Sequence, residues 1–172
     1  MVKSWIITGV CLIGAGVLCC TAAIGAGALN QQRYREKLHL TDRTDTPSEN
    51  FTAIQVALED ADLTVQTGES VSVEAENISA DCYDVTVRDG VLRIEQKNST
   101  LDQYTLIHLG GFSVPTAKVT LTLPEENYKS MDISASYGDC TVDGISAQTF
   151  SANLDCGDGT FQNISTENYT AK

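Results

Sequence analysis

Basic residues and histidine are scarce in this chain, and their scarcity removes whole classes of function. Only 11 Lys and Arg stand among 172 residues, against 23 Asp and Glu, for a net charge of −12. Five of the 11 (Lys3, Arg33, Arg35, Lys37 and Arg43) flank an N-terminal apolar stretch. Residues 44–172 therefore hold six basic residues against 21 acidic ones, a net charge of −15. A body so charged repels nucleic acid and anionic lipid, which excludes an unassisted nucleic-acid partner. Solubility alone accounts for the same excess, since sign asymmetry speaks to association and not to chemistry. The two histidines, His39 and His108, have no serine or cysteine nucleophile motif beside them. No catalytic residue is assigned, the chain is expected not to be an enzyme, and no small-molecule substrate or cofactor is implied. No Cys/His spacing suggests zinc, and no stretch beyond residue 50 carries a helical period.

Charge is also missing from Ser4 to Gln32. As a helix, the 25 residues from Trp5 to Leu29 would extend about 37 Å, enough to cross a bilayer's hydrocarbon core with some tilt. Residues 1–32 are therefore expected to form a retained transmembrane signal-anchor, with Trp5 at the interface and small residues such as Ala22 and Ala26 permitting close helix packing. A cleaved signal peptide competes, because Lys3 gives a short basic start and Ala26-Gly27-Ala28 resembles an A-x-A site. A lipoprotein site at Cys19 or Cys20 is disfavoured by the bulky residue before each. The basic residues after the stretch argue for a cytosolic body, whereas a signal-like start ahead of a β-rich body argues for export. The expectation is a single-pass protein of the cell membrane with an extracytoplasmic C-terminal domain. Residues 33–50, basic and then polar with Pro47, are expected to be a juxtamembrane segment and solvated linker. The folded body then spans 51–172.

That body repeats itself. MDISASYGDCTVDGIS (131–146) matches FSANLDCGDGTFQNIS (150–165) at an offset of 19 residues, which pairs Met131 with Phe150, Gly138 with Gly157, Asp139 with Asp158, Val142 with Phe161 and Ile145 with Ile164. A third copy, 51–66, matches 128–143 at an offset of 77, close to four periods, and pairs Phe51 with Tyr128, Ile54 with Met131, Asp62 with Asp139 and Val65 with Val142. A fixed period near 20 residues marks a stacked β architecture whose units bury their apolar faces against one another. Period-two alternation supports it, as in Ile54/Val56/Leu58, Val119/Leu121/Leu123 and Phe150/Ala152/Leu154. Turn residues separate the runs. Asp89-Gly90 signals a type I′ hairpin, so the first half holds antiparallel pairing, and residues 97–116 read as a longer loop. The fold class is all-β, a solenoid-like stack of short strands preceded by one helix.

Cysteines and aspartates are the remaining candidate site residues. Cys11, Cys19 and Cys20 lie in the apolar stretch, and Cys82, Cys140 and Cys156 in the body. An exported body has room for one disulfide and a spare thiol. The repeat register opposes a Cys140–Cys156 bond, because it sets Cys140 against Gly159 and Cys156 against Tyr137, three residues or about 10 Å apart along the strand. Cys140 is expected inside and Cys82 more accessible. Asp139, Asp143, Asp155 and Asp158 stand beside glycines, yet the G-G-x-G-x-D order of calcium-binding repeats is absent. Turn chemistry accounts for them, since Asp accepts backbone N–H groups and tolerates a left-handed conformation. No metal is assigned. The sequons at Asn50, Asn77, Asn98, Asn163 and Asn168 matter only in a glycosylating pathway.

Leu123-Pro124, Ser136-Tyr137-Gly138-Asp139, Asp143-Gly144 and Gly157-Asp158 give residues 51–172 a resemblance to a known group. The body is similar to the bacterial "putative adhesin" β-strand-repeat family, a domain family of unknown function. The resemblance implies a right-handed, solenoid-like, cell-envelope domain without established catalytic residues, found in some relatives beside envelope-stress regulators. The pattern breaks off at Lys172 inside a further unit, so an open strand edge is expected there. The expected function is a membrane-anchored binding, adhesion or scaffolding module with a protein or envelope-polymer partner. The alternatives are a regulatory accessory of an envelope-stress system and, last, a cell-surface hydrolase.

Overall fold

The computed structural model describes residues 2–25, 36, 39–97 and 116–172. The signal-like Ala26-Gly27-Ala28, the basic residues Arg33, Arg35 and Lys37, the sequon at Asn98, and His108, Gly110, Gly111 and Pro115 of the expected loop lie outside the described residues. A long helix, α1 (Val2–Gly25), forms where the uncharged stretch predicts it. Among the described residues no helix is long and apolar enough to cross a membrane, which corrects the expectation of a transmembrane span from Trp5 to Leu29. Gly14, Gly16, Thr21 and Gly25 thin the apolar content of the helix, and residues 26–29, which the expected span required, are not described. Leu12, Ile13, Val17, Leu18 and Ile24 are all exposed. The Thr21 hydroxyl turns back on the helix and donates to the Val17 or Leu18 carbonyl oxygen, at 3.1 and 3.0 Å.

The rest of the regular structure among the described residues is almost entirely strand. Among the described residues twelve strands form: β1 (Leu40–Asp45), β2 (Ala53–Leu58), β3 (Ala61–Thr67), β4 (Ser72–Ser79), β5 (Tyr83–Arg88), β6 (Val91–Gln96), β7 (Ala117–Leu123), β8 (Asn127–Tyr137), β9 (Cys140–Asp143), β10 (Ser146–Cys156), β11 (Gly159–Gln162) and β12 (Ser165–Ala171). They build two six-stranded sheets. Sheet A has the order β1-β4-β7-β3-β9-β11 and sheet B the order β12-β10-β8-β2-β6-β5. Alternate side chains of both sheets point into one shared core, where Ile54, Leu63, Leu92, Leu121, Met131, Val142 and Phe150 are fully buried. Each rung alone is too thin to bury these groups, so stacking supplies the hydrophobic stabilisation.

The repeat offsets are the pairing register itself. At 19 residues, Met131 lies opposite Phe150, and Val142 opposite Phe161, in parallel strands. At 77 residues, Ile54 lies opposite Met131 and Val65 opposite Val142, again in parallel. The structure nevertheless changes the meaning of the second offset. Four periods imply three intervening rungs, yet β2 and β3 are the direct neighbours of β8 and β9. The chain between them leaves the repeat and builds the opposite side of the stack, where β1 pairs β4, β4 pairs β7 and β5 pairs β6, all antiparallel. The Asp89-Gly90 hairpin forms as expected, with φ values of 53° and 73° at its two central residues, the requirement of a type I′ turn.

Residues 41–50 are not simply a solvated linker. Leu40–Asp45 is the edge strand of sheet A, paired with β4. Alternation hides this strand from the sequence because its inward positions are charged. Arg43 lies opposite Ala75, and Asp45 opposite Val73, both buried core positions. Inward-pointing charge is a known means of blunting a sheet edge.

Candidate binding surfaces

The outer face of sheet A is polar and arranged in rows. In β3, Leu63 and Val65 point inward, so Asp62, Thr64 and Gln66 point out. Strand pairing carries Thr64 into register with Thr120 on one side and Thr141 on the other, and Thr141 into register with Thr160. Four hydroxyls thus stand in one line across β7, β3, β9 and β11, one per strand spacing of about 4.8 Å. Glu74 and Thr44 continue the line onto β4 and β1. Beside it, Lys118 is in register with Asp62. Asp62, Thr64, Lys118, Thr120, Asp139 and Thr141 line a shallow depression of ≈ 220 Å³. Sheet B presents its own outward row, in which Arg93 donates to the Gln55 side-chain oxygen, and Asp132 and Ser151 lie in register beyond Gln55.

Turn residues link successive rungs. The Asp62 carboxylate accepts the backbone N–H of Asp139 at 3.0 Å, and the Asp139 carboxylate accepts that of Asp158, also at 3.0 Å. Asp143 accepts from the Asn163 side-chain amide at 2.7 Å. The turn aspartates therefore tie rung to rung. Gly157 stacks on Gly138 so closely that an added Cβ would meet the Gly138 carbonyl oxygen at 2.1 Å. Its φ of 129° also favours glycine. A separate clamp holds the β2–β3 corner. The Gln96 side-chain oxygen accepts the N–H groups of Glu59 and Asp60, each at 3.3 Å, while its amide donates to the Asp60 carboxylate.

The body cysteines are free thiols. Cys140 is buried opposite Gly159, and Cys156 is exposed opposite Tyr137, the displacement expected from the repeat. Burial pushes the Cys140 thiol up to about 11. Cys82, half-buried, occupies the turn before β5. Tyr128 stacks on Phe51 with ring centroids 6.1 Å apart and donates its hydroxyl to the Pro124 carbonyl at 3.0 Å. Burial, helped by the charge of Glu126, raises its phenol to about 12. His39 stands at the entrance to β1, and His108 is not described. Sequence reasoning missed the group at the far end of the stack. There Asp45 of β1 meets Tyr83 of β5, 38 residues on, and the two share no motif.

A domain model matches residues 51–172, the region of the stacked rungs. The chain belongs to the Toastrack DUF4097 family. Solved structures similar to this Toastrack chain include a "putative cell adhesion protein" from Clostridium sporogenes, at 12% identity and a TM-score of 0.49, which covers 69% of this chain and 58% of that one. Another is a "putative lipid binding protein" from Parabacteroides distasonis, at 12% identity and a TM-score of 0.33, with 73% and 62% covered. A "putative adhesin" from Bacteroides fragilis matches at 10% identity and a TM-score of 0.32, with 77% and 95% covered. The chain spans less than two thirds of the length of the first two. Comparison with curated proteins gives no match.

Proposed function

We propose that this Toastrack chain is a non-catalytic binding module, adhesive or scaffolding, held at the bacterial cell envelope with its β domain facing outward. The in-register row Thr120, Thr64, Thr141 and Thr160 carries this reading. A rigid line of hydroxyls at strand spacing, on a face with few cations, suits a neutral or hydroxyl-rich envelope polymer better than an anionic one. The solenoid-like stack supplies the rigidity. The exposed Leu12, Ile13, Val17, Leu18 and Ile24 of α1 supply an apolar surface for membrane association.

The test uses the full-length chain in detergent, sedimented with isolated, insoluble cell-wall polymer. The triple variant Thr64→Val, Thr141→Val, Thr160→Val keeps shape and removes the hydroxyls. Roughly tenfold weaker binding at an unchanged melting temperature is expected. Absence of binding by the parent chain, or equal binding by the variant, would reject the reading. Location is tested separately, because Cys156 is exposed. A membrane-impermeant maleimide should label it on intact cells, and labelling only after lysis would defeat an outward-facing domain.

A further inference from the structure

At the end of the stack opposite β12, sheet A closes with β1 and sheet B with β5. Between them lies a slot of ≈ 380 Å³, lined among others by Asp45, Pro47, Glu49, Val85, Val87 and Arg88. Three features of this slot belong together. The first is its backbone. Arg88 lies opposite Val91 across the two-residue hairpin, and the Lys97 N–H donates to the Cys82 carbonyl at 2.7 Å. The even-numbered residues of β5 therefore direct their backbone groups at β6, and the antiparallel alternation turns those of Val85 and Val87 away from it. Among the described residues no strand pairs with β5 on that side.

The second feature is shape. Val85 and Val87 share the inward parity of Tyr83, and both are only half-buried, so the slot has an apolar wall. The third is charge. Asp45 gives one carboxylate oxygen to Arg43 at 2.7 Å, but its other oxygen is buried without a hydrogen-bond partner. The neighbouring Tyr83 hydroxyl is likewise buried and unpartnered, and its phenol lies well above the usual range through burial and the charge of Asp45. Such groups are costly until a donor reaches them. Apolar walls leading to an unanswered carboxylate oxygen match the stem and head of a lysine or arginine side chain.

We infer that β5 accepts an extended segment of a partner protein as an added strand, hydrogen-bonded to the backbone of Val85 and Val87, with a Lys or Arg side chain in the slot toward Asp45. Strand addition takes its affinity from the main chain and its specificity from pockets for alternate side chains. The charged pair Arg43–Asp45 keeps the β1 edge itself from pairing, which leaves β5 as the receptive edge at this end of the stack. The inference goes beyond the envelope reading and stands whether or not the outer face of sheet A binds a polymer.

The probe is a fluorescent capped peptide alternating threonine and lysine, titrated into the full-length chain in detergent. An alternating threonine–glutamate peptide, and a lysine peptide N-methylated at alternate amides, serve as comparisons. Binding of the lysine peptide is expected, with at least tenfold loss on N-methylation, on Val87→Pro and on Asp45→Asn. Val87→Pro should still fold, because that N–H takes no part in the ladder. If it does not, the methylated peptide still decides. Equal binding of methylated and unmethylated peptides would overturn the inference as mere attraction to an acidic protein. Full displacement by 1,5-diaminopentane at the same concentration would overturn it in favour of a simple amine site.

Discussion

The Asp139 carboxylate accepts the backbone N–H of Asp158 at 3.0 Å, one rung away and 19 residues on. The same bond joins Asp62 to Asp139 across 77 residues. Asp139 is thus both donor and acceptor in a ladder that runs down the turns. Asp139→Ala should lower stability by about 1–2 kcal/mol, while Asp139→Asn, which keeps an acceptor oxygen, should cost less than half of that. Urea midpoints of the two variants check the order.

Glycine at the stacked turn meets both a steric and a conformational limit. Gly157→Ala should cost roughly 3 kcal/mol or more, because the new methyl would overlap the Gly138 carbonyl in addition to the strain of its positive φ. Gly90, also at positive φ but with open space around it, should lose only about 1–2 kcal/mol as alanine. Equal losses would mean that rung contact adds nothing.

Gln96 is the buried polar residue that closes the corner between β2 and β3. Replacing it with methionine fills the space but leaves the N–H groups of Glu59 and Asp60 without their acceptor. A loss of about 1–3 kcal/mol is expected. Faster amide exchange at Glu59 and Asp60, with little change at β10, would locate the effect.

Alkaline pH should unfold the domain through Cys140 and Tyr128. Burial holds both neutral, at about 11 and about 12, above their ordinary values of 9.0 and 10.0. Folded values above unfolded ones mean that the stability they contribute is complete below about pH 9 and is lost as the pH rises through 11 and 12. The melting temperature should fall over that window and fall less in Cys140→Ala combined with Tyr128→Phe. Tyr128→Phe also gives up the bond to Pro124, about 1 kcal/mol at neutral pH.

Thiol reactivity offers a further check on register. At pH 8 the exposed Cys156 should react with a maleimide within minutes, Cys82 more slowly, and Cys140 only on unfolding. Rapid modification of Cys140 in the folded chain would contradict its buried place opposite Gly159.

Much of this arrangement was legible in the residues. The 19-residue offset gave the true register of β8, β10 and β12, and the Asp-Gly pair gave the β5–β6 turn. Both are local or repetitive signals, in which each rung restates the pattern of its neighbour. The β1 strand escaped because Arg43 and Asp45 occupy inward positions where alternation expects apolar residues. The threonine row was also hidden, since Thr120 belongs to no copy of the repeat and joins Thr64 only through the pairing of β7 with β3.

The sequence by itself determined the strand content, the turn chemistry and the spacing at which equivalent residues meet. Periodicity writes these into every short segment, and they cost little entropy to satisfy locally. Only the tertiary structure decided which rungs are neighbours. Residues 67–126 could have continued the stack between the copies at 51–66 and 128–143. Instead antiparallel pairing sets β4 beside β7 and β5 beside β6 on the far side, and Ile54 packs directly beside Met131. The same detour brings β1 and β5 to one end and creates the slot at Asp45, because long-range pairing depends on which apolar faces meet, and no local pattern records that choice.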